Sequence, residues 1–249
     1  MRDKTVLAYF GHHKCATVWI RNIMTAVCNN LSLKIENVDS PGQFGNDLET
    51  FIDSNQIDFL IFANADIDFV KELKDFKGFH VVRDPRDLAV SSYFSHLHSH
   101  PTDVWPALER HREKLKSVSK EEGLFMDMEF IRHDVFLRML RWDYSIPNVL
   151  ELKMEDLTTQ SFEKYYEILK FLDLIPKIST RKLDKIIHNN RFSVMAGGRK
   201  PGEENVHHHF RKGVAGDWIN HFTDDHKKYF KDKYNDLLVR LGYEKDENW

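Results

Sequence analysis

The chain has 249 residues, of which 41% are hydrophobic and 30% charged, and its formal net charge is −3 at pH 7. This composition fits an ordinary globular protein, and the length is sufficient to bury a substantial core. A net charge this close to zero gives no overall attraction to nucleic acid or to an anionic membrane. The length predicts one domain over residues 1–249, with two small domains as the alternative, and the net charge predicts no nucleic-acid partner.

The compartment is predicted from the apolar runs and the cysteines. The first residues lack the apolar stretch of a secretory signal, and the longest apolar runs have the length of a strand rather than of a membrane span. The two cysteines, Cys15 and Cys28, are too few for a disulfide framework. The sequence therefore predicts a cytoplasmic protein with free thiols and no membrane span.

The first predicted strand leads into an apolar helical pattern. Thr5–Phe10 is β-branched and apolar, it ends at Gly11, and a polar turn precedes a helix that begins at Thr17. A strand that turns into a helix presents unpaired N–H groups and the positive end of the helix dipole, which form a ready anion site. Lys14 adds a positive charge and Thr17 a hydroxyl donor. The stretch predicts a phosphate or sulfate cradle, although many α/β domains with this start bind nothing there.

Strand-like and helical runs continue to alternate along the chain. Four more strands are predicted, at Ser32–Val38, Asp58–Ala63, Gly78–Val82 and Asn148–Lys153. Helices are predicted through most of Asp84–Tyr144 and over Ser161–Leu174, Thr180–His188 and Thr223–Leu241. This alternation predicts an α/β fold with a parallel sheet of about five strands flanked by helices on both faces. Ligands of such sheets bind beyond the carboxyl ends of the strands.

A second basic segment, HVVRDPRDLAVSSYF, starts on the fourth predicted strand. Arg83 follows the end of the strand, Pro85 fits the first turn of the next helix, and Asp84 or Asp87 can cap that turn. Ser91 lies two turns into the helix. A guanidinium and a hydroxyl in these positions can grip one phosphate from two sides. The alternative is an ion pair of Arg83 with Asp84 or Asp87.

A third basic segment lies in a long glycine-rich stretch. Asn190–Gly216 contains five glycines and is predicted to be a long mobile loop, and such loops in compact domains are usually functional or disordered. Within it, Arg211 and Lys212 precede Gly213, so the backbone can approach a ligand closely between two cations. A solvated basic loop tip is the alternative, but it does not explain the G-x-x-G-D-W pattern that begins at Gly213.

Taken together, the three segments resemble the cytosolic-type sulfotransferase family, which uses 3′-phosphoadenosine 5′-phosphosulfate (PAPS). HKCATVW resembles the 5′-phosphosulfate loop P-K-S-G-T-T-W, RDPRDLAVSSY the 3′-phosphate segment, and RKGVAGDW the C-terminal R-K-G-x-x-G-D-W. NVLELKMEDL is similar to the strand that commonly ends in Y-E-D-L. The segments occur in family order from Thr5 to Thr223. The resemblance implies a P-loop-like sheet, PAPS as the cofactor and 3′,5′-ADP as the product.

The resemblance also implies a role for each matching residue. Lys14 corresponds to the catalytic lysine that contacts the transferred sulfuryl group and its bridging oxygen. Backbone N–H groups would wrap the 5′-phosphate at four residues: Cys15, Ala16, Thr17 and Val18. Aromatic rings would lie against the adenine at Trp19 and Phe192, for which plain core packing is the alternative. The 3′-phosphate would be held by Arg83, Ser91, Arg211, Lys212 and Gly213.

Three positions depart from the family pattern. The family's loop glycine is Ala16, which is strained if the position needs a positive φ. Met154 replaces the tyrosine before E-D-L, and Asn64 stands where the catalytic histidine of K-T-H is expected. A base is still needed to take the proton of the acceptor hydroxyl. Asp66 is the first candidate because it lies just past a strand end, and the alternatives are His96, His98 and His12.

The sequence also contains a cysteine and histidines that offer other chemistry. Cys15 at a helix start is an alternative nucleophile, since helix N-termini lower thiol pKa values. The histidine-rich stretches His96–His100 and His207–His209 match no standard zinc spacing, so no metal is expected.

The predicted reaction is in-line sulfuryl transfer from PAPS to a hydroxyl or amine of a small-molecule, carbohydrate or lipid acceptor. The walls of the acceptor pocket are expected at residues 39–55, 94–120 and 197–209. A P-loop-type kinase is the alternative, against which the missing Walker loop argues, and a non-catalytic adenine-nucleotide binder is a further one. The usual dimer motif after D-W is largely absent, so the oligomeric state stays open.

Overall fold

The computed structural model describes residues 4–103 and 105–249. The parts of the predicted domain and acceptor walls that fall on Met1–Asp3 and Val104 lie outside the described residues.

The described residues contain a five-stranded sheet in which every pair of neighbouring strands is parallel. The strands are β1 (Val6–Phe10), β2 (Ile35–Val38), β3 (Phe59–Phe62), β4 (Phe76–Val82) and β5 (Val149–Lys153), in the order β2-β3-β1-β4-β5. The predicted fold class is confirmed. Each observed strand lies within or overlaps its predicted range, and β2 begins three residues later than Ser32 because its apolar residues start to pair only at Ile35.

The helices are α1 (Thr17–Leu31), α2 (Leu48–Asn55), α3 (Ile67–Val70), α4 (Pro85–Phe94), α5 (Pro106–Lys116), α6 (Lys120–Ile131), α7 (Leu137–Arg141), α8 (Met154–Thr159), α9 (Ser161–Phe171), α10 (Thr180–Asn189), α11 (Phe192–Met195) and α12 (Asp224–Arg240). Turns of 3-10 helix occur at Pro41–Phe44 and Asp217–Asn220, and π-helical turns follow α4 at Ser95–Ser99 and α6 at Arg132–Phe136. None of the helices in the described ranges is both long enough and apolar enough to cross a membrane.

The chain divides into two compact units, each built from two stretches of sequence. The first unit contains the chain through Arg83 together with Arg141–Arg191, and it holds the whole sheet. The second unit contains Asp84–Leu140 and Phe192–Trp249, and it is helical. That residues 1–249 act as a single domain stays a prediction.

The core of the first unit lies on both faces of the sheet. Alternate residues of a strand point to opposite faces, and Tyr9 belongs to one apolar cluster while Ala8 and Phe10 belong to the other. The Tyr9 cluster includes buried residues of α1, α9 and α10, and the Phe10 cluster includes residues of α2 and α3. Strands buried on both faces explain the continuous apolar runs in the sequence.

The topology fixes where ligands of the first unit are expected. From β1 the chain passes to β2 at one edge, and from β3 it passes over β1 to β4 on the other side. The order therefore reverses beside β1, and open parallel sheets bind ligands beyond the carboxyl ends of strands at such a switch point. The loop after β1 and the end of β4 lie at this edge, because Phe10 pairs with His80 two residues before β4 ends.

The long glycine-rich segment is organised by its own hydrogen bonds. The amides of Gly202 and Asn205 donate to the carbonyls of Lys212 and Arg211 at 2.8 and 2.9 Å. The Arg199 guanidinium donates to the carbonyls of Glu203, Phe210 and Arg211. The loop predicted over Asn190–Gly216 is wrong at α11 (Phe192–Met195), which is helical. In the irregular part that follows, Arg199 ties two arms together, a contact that the sequence did not predict.

Candidate functional site

The loop after β1 holds two non-glycine residues in the left-handed conformation. Lys14 has φ 64° and Ala16 has φ 63°. Side chains other than glycine are disfavoured there because Cβ approaches the carbonyl oxygen, and each such residue stores about 1–2 kcal/mol. The expectation that Ala16 is strained is therefore confirmed. Strain of this kind persists where the surrounding structure enforces a loop shape.

Ala16 is also the N-cap of α1, and its side chain makes no capping hydrogen bond. The Ile20 amide donates to the Ala16 carbonyl at 3.0 Å, which starts the helical ladder. The amides of Thr17, Val18 and Trp19 lie before the first bond of this ladder, so no carbonyl of the helix accepts from them. The first turn carries no acidic side chain. Such an N-terminus keeps its donors and its partial positive charge for an anion. The Cys15 amide differs, since it donates to the His12 carbonyl at 3.1 Å.

Arg83 lies at the end of β4 beside the same loop. Its side chain is buried, and its Nη1 donates to the Lys14 carbonyl at 3.3 Å. The aspartates that sequence reasoning offered as partners are otherwise engaged. Asp84 caps α4 and pairs with Arg86 at 2.8 Å. Asp87 accepts from the amides of Gly216 and Trp218.

The Cys15 side chain is fully buried beneath this loop. Burial raises the pKa of the Cys15 thiol to about 12, although the positive charge of Arg83 opposes the shift. The nucleophile alternative fails on this geometry, because the thiol is protonated at neutral pH. Tyr9 lies below the loop as well, and its hydroxyl donates to the Cys15 carbonyl at 3.3 Å.

Trp19 is partly buried and packs against the core cluster of α1, α9 and α10. Its ring meets Tyr165 edge to face, with the centroids 5.6 Å apart. Core packing therefore accounts for much of the burial of the Trp19 side chain. Its role beside an adenine stays a prediction.

A buried chain of polar side chains, which sequence reasoning missed, runs across the sheet next to the loop. His12 and His80 join through their Nε2 atoms at 2.9 Å, and His80 Nδ1 lies 2.6 Å from Glu151 Oε2. Trp142 donates to the other Glu151 oxygen at 2.8 Å and stacks on His80 at 4.0 Å. His80 and Glu151 are register partners on β4 and β5. A single carboxylate in the apolar strand NVLELK was the signal that could have revealed the chain.

The two residues after β3 that bear on the catalytic base have structural partners. Asn64, at the position of the missing histidine, donates to the Asp39 carbonyl at 3.1 Å. Asp66 caps α3 by accepting from the Asp68 amide at 3.2 Å, and it pairs with Arg141 at 3.0 Å. Its role as a base stays a prediction.

In the second unit, Phe192 and Gly213 lie in contact. Gly213 has φ +68°, and a Cβ built there would overlap the Phe192 ring. The position therefore excludes any larger residue for two reasons, backbone conformation and the ring. The Arg199 guanidinium lies 5.6 Å from the centroid of the same ring.

Arg211 and Lys212 converge on one buried carboxylate. Arg211 Nη2 and Lys212 Nζ each lie 2.5 Å from an oxygen of Asp217, whose side chain is only 1% exposed. Arg211 also pairs with Glu204. Burial by itself raises the pKa of Asp217, but hydrogen bonds from Lys212 and Arg211 outweigh it and hold the pKa far below the usual range. Sequence reasoning identified both cations but not their shared counter-charge.

Asp87 joins α4 to this basic segment. Its carboxylate accepts from the amides of Gly216 and Trp218 at 2.6 and 2.9 Å, in a second carboxylate contact with the G-D-W motif. Ser91 lies on the same helix, half-buried, one turn further on. The second unit thus holds Ser91, Phe192, Arg211, Lys212 and Gly213, and the first unit holds Lys14 through Trp19 together with Arg83.

Comparison with known proteins identifies the family. The model of the sulfotransferase domain matches residues 10–242. A curated relative, sulfotransferase 6B1 of Danio rerio, is 29% identical over 173 residues, which are 66% of this chain and 54% of the relative. The chain thus spans about half the length of the curated relatives it matches. The chain belongs to the sulfotransferase domain family.

Solved structures share the fold. Mouse sulfotransferase SULT7A1 complexed with PAP superposes with a TM-score of 0.62 at 20% identity, covering 96% of this chain and 85% of that one. Retinol dehydratase in complex with androsterone and the inactive cofactor PAP gives a TM-score of 0.57 at 16% identity, with 93% and 80% coverage.

Proposed function

We propose that this protein is a PAPS-dependent sulfotransferase, an enzyme that transfers a sulfuryl group to a hydroxyl or amine and releases 3′,5′-ADP. The observation that carries the proposal is the N-terminus of α1, where a strained loop leaves first-turn amides for an anion beside Lys14 and Arg83. The family model and the PAP complexes of the structural neighbours support it.

In this proposal, the first unit binds the 5′ end of the cofactor. The amides of Thr17, Val18 and Trp19, with the backbone at Cys15 and Ala16, would hold the 5′-phosphate. Lys14 would contact the transferred group and offset the charge that builds on the leaving phosphate. The positive φ angles of Lys14 and Ala16 shape the backbone of the loop that would carry both roles.

The residues proposed for the 3′-phosphate carry the identity of the cofactor. Arg83, Ser91, Arg211, Lys212 and Gly213 would hold this group, which distinguishes PAPS from ATP, with Phe192 and Trp19 against the adenine. The chemistry fits, since guanidinium and ammonium groups bind phosphate well. Asp217 then acts as the group that orients Arg211 and Lys212 before the cofactor arrives.

A proton acceptor is still required for the acceptor hydroxyl. Asp66 is the proposed base, and it must share its carboxylate between that task, the cap of α3 and Arg141. His98 is the second candidate. Burial lowers the pKa of His98, with help from His207 and Arg112, so the ring is neutral and able to accept a proton at pH 7. His96 is a weaker candidate because it is fully buried against Asp127.

The acceptor is proposed only as a class, a small molecule, carbohydrate or lipid that carries a hydroxyl or amine. Retinol dehydratase is described in one complex with androsterone and in another with retinol, so the fold holds apolar small molecules in that protein. The proposed walls of the present chain, within residues 39–55, 94–120 and 197–209, mix histidines with aromatic side chains.

Binding and transfer can be tested separately. Calorimetry with 3′,5′-ADP measures cofactor binding, with 5′-AMP as the control that lacks the 3′-phosphate. Incubation with PAPS and an acceptor library, read by mass shift, measures transfer. Preferential binding of 3′,5′-ADP and a sulfated product are expected. Equal binding of both nucleotides contradicts the cofactor assignment.

A non-catalytic adenine-nucleotide binder is the second candidate function. It is favoured by Asn64, which replaces the expected histidine and is bonded to the Asp39 carbonyl. Tight 3′,5′-ADP binding with no transfer to a broad acceptor library, and no slow hydrolysis of PAPS, would support this candidate over the enzyme.

A further inference from the structure

A cluster of potential metal ligands lies in the helical second unit, outside the residues proposed for the cofactor. It consists of His96 in the π-helical turn after α4, His111 on α5 and Asp127 on α6. One donor atom from each residue lies within 4.8 Å of the other two. His96 Nδ1 and His111 Nε2 lie 2.6 and 3.0 Å from the same atom, Asp127 Oδ1.

The cluster is shielded from water. The side chains of His96 and Asp127 are fully buried, and that of His111 is 7% exposed. Aromatic rings enclose it, since His111 stacks on Phe130 at 4.0 Å and His96 meets Trp105 edge to face at 5.5 Å. A buried carboxylate is costly unless its charge and its lone pairs are both satisfied.

One oxygen of Asp127 stands out in this respect. Oδ1 takes both histidine contacts, and the Ser92 hydroxyl adds a further hydrogen bond to the carboxylate. Oδ2 is buried and has no hydrogen-bond partner at normal distance among the described residues. A buried acceptor without a donor costs about 1–3 kcal/mol, so it calls for an explanation. A cation bound to both carboxylate oxygens would satisfy the second oxygen and balance the charge.

We propose that His96, His111 and Asp127 form a structural site for a divalent transition metal ion. Two imidazole nitrogens and one carboxylate are a donor set that suits Zn²⁺ and its first-row neighbours, and a small ligand such as water can complete the coordination. To bind the ion, each of the two imidazole nitrogens that face Asp127 Oδ1 must be without its proton, so the site competes with protons. Because the site is buried, a substrate has little access to the ion. We therefore assign the ion a role in stability and not in catalysis.

The backbone around the site is arranged to hold these ligands. His96 lies in a π-helical turn, a departure from α-helix that re-aims side chains and is frequent at functional sites. Arg112 clamps that turn, donating to the carbonyls of His96 and His100. Three elements would thus be linked through one ion. The sequence showed no zinc signature because the ligands come from separate helices.

Metal titration of the chelator-treated protein tests the proposal. Co²⁺ should bind with 1:1 stoichiometry and give visible absorption bands, and Zn²⁺ should displace it. Saturating Zn²⁺ should raise Tm by about 5 °C or more. Asp127→Asn and His111→Ala should each weaken binding at least about a hundredfold. The matched control is His133→Ala, which removes an exposed histidine of the same unit and should change nothing.

Two results would overturn the site. One is the absence of Co²⁺ and Zn²⁺ binding to the wild-type protein, which leaves a plain hydrogen-bonded cluster. The other is undiminished binding by Asp127→Asn, which places the metal elsewhere, for example at Glu204, Asp217 and His221. If the variants fail to fold, X-ray absorption of the zinc-loaded wild type decides, since two nitrogen ligands and carboxylate oxygen are expected.

Discussion

At the scale of single residues, the loop after β1 shows a conflict between residue type and backbone shape. Ala16 adopts φ 63° although the family pattern has glycine there. Alanine destabilises the fold in this conformation because its Cβ is strained, whereas glycine has no Cβ and adopts the conformation without strain. The conformation persists because α1 starts at this residue and the Cys15 side chain is anchored in the core.

Ala16→Gly is therefore expected to stabilise the protein by about 1 kcal/mol, because the gain from relieved strain exceeds the entropy lost by the more flexible unfolded chain. Urea unfolding measures the change. Ala26→Gly, in the middle of α1, is the matched control and should destabilise by about 0.5–1 kcal/mol. A loss of stability in both variants would show that Ala16 carries no strain.

Gly213 is the corresponding position in the second unit. Gly213→Ala adds both backbone strain and an overlap with the Phe192 ring, so it should displace the ring and weaken 3′,5′-ADP binding by about tenfold or more, on the order of 1.4 kcal/mol. Calorimetry measures the affinity. Gly202→Ala is the control, since Gly202 also has a positive φ (+96°) but has open space at the Cβ position. Equal losses in both variants would remove Phe192 from the explanation.

At the scale of elements, Asp217 links the start of a 3-10 turn to the basic segment before it. The residue accepts from Arg211 and Lys212, and Asn220 donates to it at 3.1 Å. Its folded pKa lies below that of the unfolded chain. The unfolded state therefore binds more protons at acidic pH. The stability that Asp217 contributes is present above about pH 4 and is lost as pH falls through the folded pKa.

Asp217→Asn should lower the free energy of unfolding by about 2 kcal/mol at pH 7, because two cations lose their partner. The difference from wild type should shrink below about pH 4, where the carboxylate of the unfolded wild-type chain begins to be protonated, and it should vanish only as pH falls through the much lower folded pKa. Urea unfolding at several pH values measures it. Asp134→Asn, which removes an exposed carboxylate 3.5 Å from Arg138, should have little effect at any pH. A pH-independent difference for Asp217→Asn would contradict the charge assignment.

At the scale of the whole molecule, the residues proposed for the two ends of the nucleotide are assigned different roles. In this proposal, the residues at the 5′ end act on the transferred sulfuryl group, and the residues at the 3′ end contribute binding affinity. Interactions that strengthen only in the transition state change turnover, whereas uniform binding changes affinity. Variants of the residues at the 5′ end should therefore change mainly kcat, and variants of the residues at the 3′ end should change mainly cofactor affinity.

Lys14→Ala is expected to lower kcat by about a hundredfold or more while changing 3′,5′-ADP affinity little. Arg211→Ala and Arg83→Ala should instead weaken 3′,5′-ADP binding, by about tenfold each, because they lose charge-assisted bonds to phosphate. Steady-state kinetics and calorimetry on the same preparations give the split. Lys228→Ala, remote in sequence from the basic segments, serves as the charge control. A Lys14→Ala variant with wild-type kcat removes the lysine from the chemistry.

The sequence by itself determined the class of fold, the strands and the three basic segments. Each depends on local signals: buried parallel strands need continuous apolar runs, a helix start needs particular residues, and the R-K-G-x-x-G-D-W pattern is contiguous. Only the tertiary structure decided the partners of these residues. His80 with Glu151, Asp217 with two cations, and Asp127 with two histidines are meetings of side chains from different elements. Propensity and periodicity act within one element, so they carry no information about which charges the fold brings together.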